Sequence, residues 1–364
     1  MALLPEIFTI VHPYLSLHDI SSLILTNHEV NKWVDMNDVI REYHMAREDE
    51  TTSLVMAACK HGYINLLMYL HRTKNVIPDG AMKCASQYGH LPIVEYLCTI
   101  GVNPTFYNNG PIMKATIYGH SHIVEYLHSV GADPFVGGNC LIKWASYRGH
   151  LNVVKYLCTV GANSIEAISF ATRGGHLDIV EYLHSIGADP TVDNNDPIIL
   201  ASEHGYLDIV KYLCSVGADP TARNNAPIIS ASEYGYVNVV KYLHSLGADP
   251  TANHNESIQL ASANGDIDVV KYLCSVGADP TANNNYSIKR ASLYGHLDVV
   301  KYLHSVGADP TASDNVSIRW ASSNGHLDVV KYLQSVGADP TANHNASIRW
   351  ASHNIINLLL SIFT

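Results

Sequence analysis

Apolar side chains fall into the same short pattern again and again along most of this chain. The stretch ASEYGYVNVVKYLHSLGADPTANHNESIQL from Ala231 is followed by ASANGDIDVVKYLCSVGADPTANNNYSIKR from Ala261 and by ASLYGHLDVVKYLHSVGADPTASDNVSIRW from Ala291. Within one repeat, Ile288, Ala291 and Ser292 share a helical face that ends at Gly295, and Leu297, Val299, Val300, Tyr302 and Leu303 then recur at spacings of three and four up to Gly307. That periodicity predicts helix, turn, helix and loop, with glycine closing each helix. Both helices are shorter than about 12 residues, a length at which an isolated helix is marginal in water. Each repeat must bury its apolar face against its neighbours, so the pattern predicts an all-α solenoid.

Counted on the alanine that opens each repeat, anchors fall at Ala57, Ala85, Ala115, Ala145, Ala171, Ala201, Ala231, Ala261, Ala291, Ala321 and Ala351, about ten repeats plus a truncated last one. The spacing is 30 residues except for 28 between Ala57 and Ala85 and 26 between Ala145 and Ala171, where the connection must be tight. Asn255, Asn285, Asn315 and Asn345 each stand two residues before a serine, and Pro111, Pro197 and Pro227 take that serine's place in other repeats. Asparagine is a strong N-cap and proline is tolerated in a first turn, so these positions read as the start of the first helix.

The string GHLDVVKYLHSVGADPTA from Gly295 resembles the second half of an ankyrin repeat, and the resemblance covers residues 52–364. Ser317-Ile318-Arg319-Trp320 or Pro197-Ile198-Ile199-Leu200 stands where the family usually carries Thr-Pro-Leu-His. The repeat is also about three residues shorter than the ~33 of ankyrin repeats. The loss falls after GADPTA, where such proteins project a β-hairpin finger. Shortened repeats with Asn-rich loops are similar to the ankyrin proteins encoded by giant DNA viruses of the mimivirus type. The resemblance implies an ankyrin-repeat solenoid that binds a protein target through its concave groove, a host protein if the source is viral.

Residues 1–50 follow another pattern, with no glycine, no repeat, and nine acidic against three basic side chains. Ile7, Ile10 and Val11, then Ile20, Leu23 and Leu25, predict two or three short amphipathic helices, with Ser16 or Asp19 capping the second. Leu4-Pro5-Glu6-Ile7, Tyr14-Leu15 and Asp19-Ile20 resemble an F-box. The segment is one residue short between Pro5 and Tyr14, has Thr26-Asn27 where Val-Cys or Val-Ser is usual, and carries Val30 at the aromatic position with Trp33 a turn later. An F-box docks on the linker subunit of cullin-type (SCF-like) ubiquitin ligases, which implies that Leu4, Pro5, Ile7, Ile10, Leu15, Ile20 and Leu23 form or support the docking face. The same segment also reads as a helical cap on the first repeat. The expected organisation is a small helical domain over 1–50 and a repeat array over 51–364.

A hydrophobic fraction of 47% with 15% charged residues suffices for a continuous core, and a net charge of −11 argues against nucleic acid as partner. No stretch approaches 18 consecutive apolar residues, and the start lacks a signal-peptide pattern. A monomeric cytoplasmic protein without a membrane segment is expected, in the host cytoplasm if the source is viral. Seven cysteines, an odd number, fit a reducing compartment. Cys98, Cys158, Cys214 and Cys274 alternate with His128, His184, His244 and His304 at one position of the second helix. Packed helices lie about 8–10 Å apart, whereas a shared zinc needs ligands at about 2.0–2.3 Å, so half-buried packing is expected there, with no metal or other cofactor. His90, His120, His150, His176, His296 and His326 recur at the helix junction, where an imidazole can bridge backbone groups. With no phosphate loop, nucleophile elbow or metal-spaced carboxylate pair, no enzyme activity is expected.

Positions that vary between near-identical repeats are where recognition can be written. The residue before each anchor alanine and the residue four later share a face of the first helix. These pairs are Lys114 with Tyr118, Trp144 with Arg148, Leu200 with His204, Ser230 with Tyr234, Arg290 with Tyr294, and Trp320 with Asn324. Trp, Tyr and Arg are enriched at binding hot spots, so this face is the candidate target site. The last stretch, ASHNIINLLLSIFT, leaves Ile355, Ile356, Leu358, Leu359 and Leu360 where a polar cap is usual. It reads equally as an apolar cap, a dimer contact or the remnant of a truncated frame.

Overall fold

The structure is a computed structural model that describes residues 50–349, so the expectations for residues 1–49 and for the final apolar stretch lie outside the described residues. The regular elements among the described residues are all helices, alternating as first and second helix of successive repeats. The first helices are α1 (Glu50–His61), α3 (Ala81–Tyr88), α5 (Phe106–Ile117), α7 (Val136–Arg148), α9 (Ala167–Gly174), α11 (Val192–Glu203), α13 (Ala222–Glu233), α15 (Ala252–Asn264), α17 (Ala282–Tyr294), α19 (Ala312–Asn324) and α21 (Ala342–Arg349). The second helices are α2 (Ile64–Lys74), α4 (Leu91–Thr99), α6 (Ser121–Ser129), α8 (Leu151–Thr159), α10 (Leu177–Ser185), α12 (Leu207–Ser215), α14 (Val237–Ser245), α16 (Ile267–Ser275), α18 (Leu297–Ser305) and α20 (Leu327–Ser335).

The chain divides into two compact blocks, the first ending at Ser164 and the second beginning at Ile165. Within each block the first helices form one row and the second helices another, and the first helices lie closer to one another than the second helices do. Small buried residues allow that approach: Ala261 and Ser262 in α15, and Ala291 and Ser292 in α17, are all fully buried. The Ser262 and Ser292 hydroxyls donate to the carbonyls of Ile258 and Ile288 at 2.6 and 2.7 Å, so each is buried with its donor satisfied. From α4 onward each second helix contributes a three-residue core, in α18 Val299, Val300 and Leu303, all fully buried. Such a side chain contributes about 1.5–3 kcal/mol on burial.

The entry to the first helices differs from the expected N-cap. Three consecutive residues take left-handed backbone angles at eight places, with φ between 49° and 69°. Asn283, Asn284 and Asn285 are one such turn, Gly137, Gly138 and Asn139 another, and the third position is asparagine in every case. The turn is closed by its last amide, as when Asn285 N–H donates to the Thr281 carbonyl at 2.8 Å. Asparagine tolerates this region far better than most side chains. Its side chain looks forward to the next repeat: Asn285 Oδ1 accepts the backbone N–H of Asp309 at 2.7 Å, and Asn225 and Asn315 do the same for Asp249 and Asp339. Asp309 Oδ1 in turn accepts both the amide and the hydroxyl of Thr311, whose carbonyl closes the following left-handed turn. A polar seam therefore runs from repeat to repeat along the loop edge, replacing the β-hairpin that a longer repeat would project.

The 26-residue spacing between Ala145 and Ala171 has lost this turn. Asn163 N–H still donates to Asn139 Oδ1 at 3.3 Å, but the next first helix, α9, begins directly after Glu166 and has no left-handed entry. The division between the two blocks falls at this same place.

Two further sets of bonds tie each repeat to the one before it. The junction histidines donate from Nε2 to the end of the preceding first helix: His296 to the Ala263 carbonyl and His326 to the Leu293 carbonyl, both at 2.9 Å. Each imidazole lies against the glycine that ends that helix. Gly295 has φ 84°, and a Cβ there would also collide with the His326 ring. On the second helices, the alternating Cys and His position meets the tyrosine of the next repeat. The Tyr272 and Tyr332 hydroxyls donate to Nδ1 of His244 and His304 at 2.8 Å, and Cys98 and Cys274 pair with Tyr126 and Tyr302. These side chains are half-buried, and burial pushes the Tyr272 and Tyr332 hydroxyls up. All seven cysteines are free thiols.

Candidate docking face

On a first helix, the buried stripe takes the anchor alanine, the residue after it and the isoleucine three before it. The residue before the anchor and the residue three after it are left on the opposite flank. In α5 the Lys114 ammonium lies 5.7 Å from the Tyr118 ring centre. In α17 the Arg290 guanidinium is flanked by Tyr286 at 5.7 Å and Tyr294 at 5.2 Å. In these two pairs the side chains face each other, and cation–π attraction orders them before any partner arrives. Trp144 is 45% exposed and meets Tyr147 edge-on at 6.4 Å, with Arg148 exposed a turn away.

Other members of the row are more constrained. His204 is half-buried, stacks on Tyr206 at 5.7 Å and has Nδ1 3.0 Å from the Leu200 carbonyl. Tyr234 is exposed, and the charges of Glu233 and then Glu203 raise its hydroxyl. Trp320 is half-buried, and the exposed Asn324 side chain donates to the Trp320 carbonyl at 2.9 Å. Leu200 departs from the expectation. It is only 6% exposed and lies against the notch left where the neighbouring α9 lacks the left-handed turn.

Tyr88, Tyr107, Phe135 and Tyr147 are exposed aromatics that were not singled out from the sequence. Tyr88 occupies the slot of Tyr118, Tyr234 and Tyr294, three residues after its anchor, so the slot itself is the signal that finds it. Lys60 and Lys83 lie 5.7 Å from the Tyr88 and Tyr107 rings. The residues expected to contact a ligase linker, Leu4 to Leu23, lie outside the described residues.

A shallow cavity of about 190 Å³ is lined by Glu166, Ser169, Phe170, Arg173, Asp193, Asp196 and Leu200. It opens where α9 lacks the left-handed turn, beside the one on α11. Pockets that bury a small molecule run to about 300–1,000 Å³, so this notch cannot enclose one. Among the described residues, no group of three or more His, Cys, Asp or Glu converges as metal ligands would. No helix among them is long and apolar enough to cross a membrane. The arrangement offers a broad, ordered surface of aromatic and charged side chains.

The family model described as ankyrin repeats (three copies) matches residues 82–167, 160–224, 228–314 and 258–344 of this chain. No curated protein matches it in sequence.

Proposed function

The chain belongs to the ankyrin-repeat family, a family of protein-interaction modules, and on that premise we propose that it captures a protein target on the flank of its first helices. The observation that carries this reading is the coincidence of two features on one edge. The first helices are the more closely packed row within each block, the arrangement expected of the inner side if the stack curves. The same edge holds the ordered aromatic and cationic pairs, among them Lys114 with Tyr118 and Arg290 with Tyr294. The loop edge, by contrast, is occupied by the polar seam and projects no fingers.

The finer role proposed is that of substrate adaptor of a cullin-type ubiquitin ligase. Residues 1–50 would form a small domain that docks on the linker subunit through Leu4, Pro5, Ile7, Ile10, Leu15, Ile20 and Leu23, while the array holds the target, a host protein if the source is viral. Its support is the F-box-like sequence pattern. Affinity capture from cell extract with mass spectrometry reads both ends. Leu4→Asp with Leu15→Asp should remove the linker subunit, because a charge buried in an apolar contact goes unpaired. Alanine at Tyr118, Trp144 and Arg148 should weaken target capture by more than about 1 kcal/mol for each hot-spot residue. A linker subunit that never co-purifies with the intact chain leaves a scaffold or decoy with a helical cap. Loss of target on changing Asn224, Asn253 and Asn283, with the aromatic changes silent, moves the site to the loop edge.

A further inference from the structure

The flank proposed above is not uniform in charge, and its first-block portion carries one sign only. α3, α5 and α7 contain no Asp or Glu at all; on the flank itself stand Lys114 and Arg148, with Lys60 at the end of α1, while Lys83 and Lys143 stand two residues before their anchors, the position from which the Lys83 ammonium reaches Tyr107 at the loop edge. This stands against a chain whose net charge is −11. The slot two residues after the anchor holds Gln87, Ile117 and Tyr147 here, but Glu203 and Glu233 on α11 and α13 of the second block. Interleaved with the cations are Tyr88, Tyr118, Trp144 and Tyr147, each 40–45% exposed. The Lys60 and Lys114 ammoniums are held over the Tyr88 and Tyr118 rings at 5.7 Å and so present their charge from fixed positions.

We infer that the first-helix flank from Lys60 to Arg148 is a docking groove for an extended acidic segment of a partner protein, with an apolar side chain of that segment seated among Tyr118, Trp144 and Tyr147. The inference rests on the first-helix flank being the target-binding edge. Neighbouring first helices lie about 8–10 Å apart, with flank cations on α1, α5 and α7, and an extended strand advances about 3.3 Å per residue. The matching segment therefore places its carboxylates at multiples of about three residues, opposite Lys60, Lys114 and Arg148, and spans about ten residues. Phosphodiester is the weaker candidate. Glu95 and Glu125 on α4 and α6 of the same block, and the overall charge, repel a polyanion long enough to reach past the groove.

The test uses the full chain and a fluorescein-labelled twelve-residue peptide with Glu at every third position and Leu at the centre, read by fluorescence anisotropy. The expected result is saturable binding that weakens at least tenfold in K114E/R148E, at most twofold in E203K/E233K, and at least threefold when the same residues are rearranged with all Glu at one end. K114Q/R148Q serves in place of the reversed pair should the latter fail to fold, as judged by circular dichroism. A peptide that does not bind, or binds equally to K114E/R148E, overturns the inference. So does preferential binding of a twelve-nucleotide single-stranded DNA at the same salt. Self-association that is lost in either charge-reversed pair assigns the groove to the acidic row of a second copy and overturns it too. Target capture lost in E203K/E233K and kept in K114E/R148E defeats this inference alone. Capture that depends only on loop residues defeats the first-helix reading beneath it.

Discussion

The two edges of this array are built from the same repeats, yet they differ in how much freedom each residue keeps. Along the second helices, LDIVEYLHS of α10 and LDVVKYLHS of α18 differ at two positions. Nearly every side chain there has a structural duty: Val299, Val300 and Leu303 are in the core, His304 bonds the next tyrosine, and the Ser305 hydroxyl donates to the Tyr302 carbonyl at 2.6 Å. Along the first helices the buried stripe is equally constant, but the residue before the anchor is Lys114, Trp144, Ser230 or Arg290. Duplication preserved what stacking requires and left one flank open to change. The sharpest contrast between the edges should be energetic.

Leu303→Ala should cost about 2–5 kcal/mol of stability, the range for truncating a fully buried leucine. Trp144→Ala on the open flank should stay within ~0.5 kcal/mol. Urea denaturation of the two variants checks this, and a tryptophan change as costly as the leucine change would show that the flank packs rather than binds.

The polar seam comes next in size. Asn285→Ala loses the bond to Asp309, worth about 0.5–1.5 kcal/mol, and adds about 1–2 kcal/mol for a left-handed alanine. Asn285→Gly should lose less, since glycine accepts the angle. Faster amide exchange at Asp309 in both variants, with a larger stability loss in the alanine form, is the expected pair of results. Equal losses would mean that the backbone angle carries no penalty.

On the second-helix edge, Tyr332→Phe should cost about 0.5–1.5 kcal/mol by stranding His304. His304→Cys should be nearly silent, because Cys274 pairs with Tyr302 in the adjoining repeat. A costly cysteine would break the equivalence of the two rung types.

The smallest effect concerns pH. Burial holds the His120 imidazole below its ordinary value, opposed by its bond to the Gln87 carbonyl and reinforced by the neighbouring His122, His150 and His90. A depressed value in the folded state means that protonation favours the unfolded chain. The contribution is complete above about pH 6.5, the ordinary histidine value, and is lost as pH falls below it. His120→Tyr, which copies Tyr206 and Tyr236, should flatten the fall in melting temperature between neutral and mildly acidic buffer. An unchanged slope would show that His120 does not carry it.

Much of the architecture was legible in the periodicity. Ile288, Ala291 and Ser292 on one helical face, and Gly295 ending it, follow from spacing and backbone chemistry that act within a few residues. The asparagines were legible as helix entries, and their conformation was not. Asn285 is favoured both as an N-cap and in left-handed turns, and what decides between them is the amide of Asp309, 24 residues further on. Leu200 was misplaced for another non-local reason: its neighbour α9 is the first helix that lost the left-handed turn in the 26-residue repeat, which the slot of Leu200 does not reveal. Tyr88 and Tyr147 were findable from their slots, whereas the cations Lys60, Lys114 and Arg148 become a surface only once the first helices are placed side by side.

The turns at Asn283–Asn285 and its sisters invert the chain's handedness for three residues before each right-handed helix begins. In mirror-image terms, these are the positions where a D-amino acid would sit relaxed and an L-amino acid is under tension. Chemical synthesis of one repeat's loop with D-Asn at 284, ligated into the array, should raise its melting point. The same replacement one turn later, inside the right-handed part of the helix, should unravel it.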